Sequence, residues 1–185
     1  MENPKFRQTL INLHLLFAGF LAPAFILLAF SGGLYLSGFK GEFKSEPITL
    51  PVGAALDFKS ASLDADVRSL LESAGIDHKF GYVKSRGATK IHLRPTNRVY
   101  LEFNQTADGL TANRVTPNFQ GSMMELHKGH GPALFKTYQK FVALGLLAVV
   151  LGGVLVGLLA RAYRRKTLSA LAIGTVLFLI LALFA

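Results

Sequence analysis

The chain has no cysteine in its 185 residues. Disulfides, thiolate metal sites, iron–sulfur ligation by this chain and a cysteine nucleophile are all excluded. A nucleotide-binding glycine loop is also lacking, since Ser31-Gly32-Gly33 has neither the lysine nor the context. No nucleophile, base and acid fall at a recognisable spacing, so no catalytic residue is assigned, and nothing points to nucleic acid. The absence that organises the rest is one of charge. Residues 10–36, 141–160 and 167–185 contain no Asp, Glu, Lys or Arg.

What fills those stretches is apolar. The chain is 51% hydrophobic with a mean hydropathy of +0.39, more apolar than a soluble domain of this length. Each charge-free block reaches across the ~30 Å hydrocarbon core at about 1.5 Å per residue. The expected organisation is therefore a short N-terminal segment (1–9), a first span (10–36), a domain (37–133), a second span with an interfacial start (134–160), a basic turn (161–166) and a third span (167–185). A signal peptide is the alternative for the first block, but its apolar core would be far shorter, about 7–15 residues, and no Ala-x-Ala cleavage site follows.

Charge orients the spans. Lys5 and Arg7 precede the first, and Arg161, Arg164, Arg165 and Lys166 lie between the second and third. Short basic segments stay cytoplasmic, so both place the N-terminus inside and the domain outside. Residues 37–140 carry 14 Lys/Arg against 10 Asp/Glu, a net +4, which reads as a solvated basic surface or as one that favours anionic lipid.

Two features of the spans stand out. Gly153 and Gly157 form a GxxxG pair on the second, and Gly145, Ala148 and Gly152 extend a small-residue stripe suited to close helix packing, within the chain or with another subunit. Pro23 lies within the first span and removes a backbone donor, so a kink is expected there unless neighbours compensate.

The domain reads as one helix followed by strands. Ser60 or Ser62 caps a helix that runs to about Ser73, with Leu63, Val67, Leu70, Leu71 and Ala74 on its apolar face and Gly75 as its stop. Asp64 and Asp66 suit its positive end. Alternation follows. Phe80, Tyr82 and Lys84 share a face, Ile91 and Leu93 share one opposite His92, and Val99, Leu101 and Phe103 share one. Gly87 and Asn97 mark turns, and Asp108-Gly109 signals a hairpin before a last strand, Leu110 to Thr116. A helix laid on a small antiparallel sheet is an α+β layer pair. His78 and His92 are expected at its surface.

In order, the chain has Asn12-Leu13-His14-Leu15-Leu16 in the first span, the helix-plus-sheet domain, Leu126-His127-Lys128-Gly129-His130-Gly131, and a further apolar helix. This order resembles the PepSY-associated transmembrane family. There an "LH" opens the first helix, an extracytoplasmic PepSY domain follows, and an "LH…G" motif opens the next helix. The resemblance covers nearly the whole layout through short motifs. It implies a multi-pass protein of the bacterial inner membrane, and a link to iron-uptake reductases that hold b haems between histidines and pass electrons across the membrane.

That resemblance sharpens the reading of three histidines. A titratable group inside a span is a functional candidate, and a neutral imidazole ligates haem iron, so His14 is a candidate cofactor ligand. The alternative is a ring packed on a neighbouring helix and bonded to a carbonyl or to Asn12. His127 and His130 form an HxxH at the mouth of the second span and could share one metal ion; the alternative is a polar turn that starts a helix at Pro132. His14 belongs to the inner layer and His127 and His130 to the outer, about 30 Å away, so they cannot ligate one iron. The third span has no histidine. A bis-histidine haem therefore requires a second copy of the chain or another membrane subunit, and the chain reads as a subunit more than a complete enzyme. Met123 and Met124 are read as packing residues. A non-catalytic accessory subunit of a larger membrane complex, or a regulatory PepSY binding module, are the other readings.

Overall fold

The computed structural model describes residues 4–184. Residues 1–3 of the N-terminal segment, Ala185 of the third span and the side chain of Arg7 lie outside the described residues. Three long helices carry the apolar blocks: α1 (Pro4–Leu36), α4 (Ala133–Leu159) and α5 (Arg161–Phe184). Their apolar lengths of 29, 27 and 24 residues are long enough to cross a membrane, which marks the chain as a membrane protein. Between α1 and α4 lie β1 (Phe43–Ile48), α2 (Leu63–Ser73), β2 (Tyr82–Ser85), β3 (Lys90–Arg94), β4 (Tyr100–Thr106), β5 (Gly109–Pro117) and α3 (Phe119–His127). The chain divides into two compact units, residues 4–25 with 140–184, and residues 26–139.

In the first unit, α1 and α4 run antiparallel. A Cβ built on Gly145 would fall 2.1 Å from Leu21 Cδ1, and one on Gly153 would fall 3.3 Å from His14 Cε1. The seven-residue step from His14 to Leu21 is matched by the step from Gly152 to Gly145. Each side chain of α1 thus enters a gap left by a missing side chain of α4. Gly157 serves a different helix, since its Cβ would fall on the Thr167 side chain of α5. Ala148 is exposed and belongs to neither contact. The expected basic turn is shorter than 161–166. Ala160 alone breaks the helix, and Arg161 to Lys166 form the opening turns of α5. Arg164 Nε donates to the Leu158 carbonyl at 2.7 Å, satisfying an end of α4 that has no further helical donor. α1 stays helical through Pro23.

In the second unit, the five strands form one antiparallel sheet in the order β1-β5-β4-β3-β2. Ile91 pairs with Phe103, Phe103 with Ala112, and Val83 with Leu93. These residues share the face that α2 covers with Leu63, Val67 and Leu71, and they form the hydrophobic core with Leu101 and Phe80. Phe80 therefore does not share a face with Tyr82. It precedes β2, Gly81 intervenes, and the ring turns into the core. Asp64 on α2 accepts from the Val83 amide at 2.7 Å, fixing helix to sheet. Gly75, at φ +66°, ends α2 as expected.

Two elements go beyond the four strands and one helix read from the pattern. β1 is exposed from Phe43 to Pro47, with only Ile48 reaching the core, so it shows no alternation; it is an edge strand of the sheet, where proline is tolerated. α3 is capped by Asn118, whose side chain accepts from the Gly121 amide at 2.8 Å. It packs close to the start of β1. A Cβ on Gly41, which sits at φ +84°, would lie 2.5 Å from the Gly121 amide nitrogen, so glycine is required there for both space and conformation.

Candidate functional site

α3 explains why the second face of the sheet is not a surface. Tyr82, His92, Arg94, Tyr100 and Glu102 alternate with the core residues and so point away from α2. His92 was expected to be exposed, yet it is only 4% exposed, and Arg94 is 6% exposed. His92 Nε2 lies 2.8 Å from Glu102 Oε2, an ion-pair distance without hydrogen-bond alignment, and its ring stacks obliquely on Tyr100 at 5.4 Å. Burial lowers the His92 pKa, with Glu102 opposing. Burial raises that of Tyr100, and the charges of Glu102 and Glu125 add to it, to about 12.

Glu125 of α3 is the centre of this face. It is 8% exposed, and one oxygen, Oε2, receives three groups. Thr96 donates its hydroxyl, His130 Nδ1 donates at 2.8 Å, and Arg94 Nη1 lies at 3.4 Å. Lys128 Nζ is 3.5 Å from the other oxygen. Arg94 also donates to Thr96, and the Thr96 amide donates to the His130 carbonyl at 3.1 Å. Burial alone would raise the Glu125 pKa, but the hydrogen bonds from Thr96 and His130 and the nearby cations together hold it below the usual carboxylate value. His130 is lowered by burial, with Glu125 opposing. None of Glu125, Arg94 and Thr96 was singled out from the sequence. Their only signal is that Glu125 directly precedes Leu126-His127.

The Leu126-His127 pair closes α3. It does not open the next helix as the motif implied. Lys128 and Gly129, the latter at φ +74°, turn the chain, and α4 starts at Ala133. His127 and His130 are consequently not on one helical face. His130 engages Glu125, while His127 Nδ1 lies 2.8 Å from Ser31 Oγ of α1. Ser31 is fully buried, and its single hydroxyl proton goes to the Leu27 carbonyl at 2.6 Å. His127 Nδ1 must then carry the proton and donate it, which leaves a lone pair on Nε2. Gly32 makes room for the ring, as a Cβ there would lie 3.3 Å from its Cε1.

His14 is different again. Its ring lies against Gly152 and Gly153. Asn12, one candidate partner, accepts from Gln8 Nε2 at 3.0 Å and makes no bond to His14. His14 Nδ1 is buried and has no hydrogen-bond partner. The packing alternative is thus met, but the bonded one is not. Gly145, Gly152, Gly153 and Gly157 all sit at helix contacts. Met123 and Met124 are buried. Among the described residues no three His, Asp or Glu side chains are arranged to hold a metal ion.

Comparison of the chain with protein-family models, with curated proteins and with solved structures returned no match.

Proposed function

We propose that the chain is a PepSY-family protein of the bacterial inner membrane, with its N-terminus cytoplasmic and residues 37–133 outside. It acts as a haem- or metal-linked electron-transfer subunit related to ferric-siderophore reductases. The observation that carries this reading is the state of His127. A histidine ligand is normally held through one ring nitrogen so that the other presents its lone pair, and the Ser31 hydroxyl holds His127 in that tautomer. His14 adds a second fit. Its buried, unpartnered Nδ1 lies beside two glycines, and an orphaned polar atom of this kind calls for an explanation.

A b haem held by one or other of these imidazoles, each in its own layer, would supply one-electron redox chemistry. His127 would offer Nε2 and His14 its free nitrogen, while Ser31 and the glycines orient the rings. His130 also keeps Nε2 free, but it turns to Glu125 while His127 turns to Ser31, so each would offer a metal ion one imidazole nitrogen. Since each layer has few histidines, the remaining ligand comes from a second copy or another membrane subunit. The accessory-subunit reading has its own support in α5, which has no buried residue and, beyond its contact with Gly157 at Thr167, leaves its apolar length open to lipid or partner helices.

The test is a visible spectrum of the protein purified in mild detergent, oxidised and reduced. A Soret band of b type that shifts on reduction, and is lost in His127→Ala or His14→Ala, is expected. Colourless protein from haem-replete cells would overturn the electron-transfer reading, and co-purifying membrane subunits would then support the accessory one.

A further inference from the structure

A pocket of about 310 Å³ lies in the second unit, lined by Lys79, Tyr82, Arg94 and Arg98 and by Gly131 to Ala133, where α4 begins. The lining contains three cations and no carboxylate. A fourth cation stands beside it, since Lys136 Nζ lies 3.3 Å from the Tyr82 hydroxyl.

Two independent features show donors left without an acceptor here. The first is Arg94. Its Nη1 is committed to Thr96 and Glu125, but its Nε is shut off from solvent with no partner, on a side chain more than nine-tenths buried. A guanidinium presents several donors in a rigid fork, and one buried without an acceptor is an incomplete contact. The second is the start of α4. The amides of Ala133, Leu134 and Phe135 bond to no carbonyl, the first helical bond being Lys136 to Pro132 at 3.0 Å, and Pro132 has no capping oxygen on its side chain. The positive end of a 27-residue helix is therefore uncapped at the pocket wall.

The fork, the amines and the helix amides are supplied around the pocket by different elements. A carboxylate has two oxygens, whereas a phosphate offers three or four in a tetrahedron, enough to meet donors from several directions. The volume is near the lower end for small-molecule pockets, about 300–1,000 Å³, and suits a headgroup-sized ester. α4 continues from this pocket to Leu159 with the length and apolarity to cross a membrane, and a helix that does so has its first turn near the lipid phosphates. From these observations we propose that the pocket binds a phosphate group, carried by an anionic phospholipid headgroup or free in solution. This site is separate from His127 and His14 and stands whether or not the chain holds haem.

The experiment uses the full chain in detergent, and its variant Lys79→Gln/Arg98→Gln. Both replaced residues are exposed, so the fold does not depend on them. Native mass spectrometry reads retention of phosphatidylglycerol against phosphatidylcholine. The wild type is expected to retain the anionic lipid preferentially, and the double variant to lose about tenfold in that preference, since each near-surface cation contributes a several-fold factor. That result assigns the phosphate to a lipid. In phosphatidylcholine nanodiscs, a rise in melting temperature with inorganic phosphate, absent with chloride at equal ionic strength and absent in the variant, assigns it to a free ion. Equal retention of both lipids with no response to phosphate overturns the proposal. So does a preference for phosphatidylglycerol that survives in the variant, because the basic start of α5 would then explain it.

Discussion

Glu125 has one oxygen serving a threonine, a histidine and an arginine, and that concentration defines what its loss would do. In Glu125→Ala the Arg94 guanidinium stays buried with its charge unmatched. Breaking a buried pair in this way costs about 3–5 kcal/mol, so the domain's denaturant midpoint should fall steeply. Glu125→Gln keeps the shape and an acceptor oxygen and should lose markedly less; equal losses would mean that packing, and not charge, sustains the network. Ser31 permits a test of the tautomer argument. If it fixes His127 as a ligand, Ser31→Ala should weaken haem or metal affinity by about 10- to 100-fold without abolishing it, as removal of outer partners does, and a binding titration reads this directly. The sequence exposed His14 and His127 because polar groups in or beside apolar spans are conspicuous. It did not expose Glu125, Arg94 or His92. In a strand, alternation says which residues face away from the core, but not whether a later helix covers them, and α3 does.

Among the elements, legibility follows burial contrast. The three long helices were visible in the absence of charge alone, α2 and β2 to β4 in their residue spacing, and β5 in the Asp108-Gly109 turn before it. β1 was not, because an exposed edge strand has no buried face to alternate with. α3 was not, because its Leu-His ending was read as the opening of α4. The glycine stripe was legible as a packing face, yet its division was not: Gly145 and Gly153 receive α1, while Gly157 receives α5. A matched pair of variants tests the α1 contact. Gly153→Leu puts a side chain where a Cβ alone is already 3.3 Å from the His14 ring, and overpacking of this kind costs about 1–3 kcal/mol. Gly174→Leu on α5 meets nothing within 4 Å. Thermal unfolding in detergent should therefore drop for the first and stay near wild type for the second. A similar drop in both would remove the case for α1–α4 packing through Gly153.

For the molecule as a whole, three histidines shape the response to acid. His78, His92 and His130 all have pKa values lowered chiefly by burial. Folding then favours their neutral forms, and the unfolded chain binds more protons below about pH 6.5. Their contribution is present above that pH and is lost as pH falls through the folded values. Glu125, also lowered, adds a further loss below about pH 4.5. The melting temperature of the full protein should decline from about pH 7.5 to about pH 5.5, and the decline should be shallower in His92→Gln. A melting temperature that rises on acidification would contradict the burial of these rings.

The orientation of the chain is open to an equally direct test, because the lack of cysteine gives a silent background for single labels. Thr49 follows β1 in the domain, and Ala162 lies among the basic residues that open α5; both are exposed. The basic segments around Lys5 and Arg161 to Lys166 favour the cytoplasmic side, and the domain must then lie opposite. A membrane-impermeant maleimide added to spheroplasts should label Thr49→Cys and leave Ala162→Cys unreacted, and inverted vesicles should give the reverse. Such a result would also put His14 towards the inner face and His127 towards the outer, in separate layers of the bilayer. Labelling of Ala162→Cys from outside would invert the topology, and with it the side from which any electron or lipid phosphate reaches the outer-layer sites.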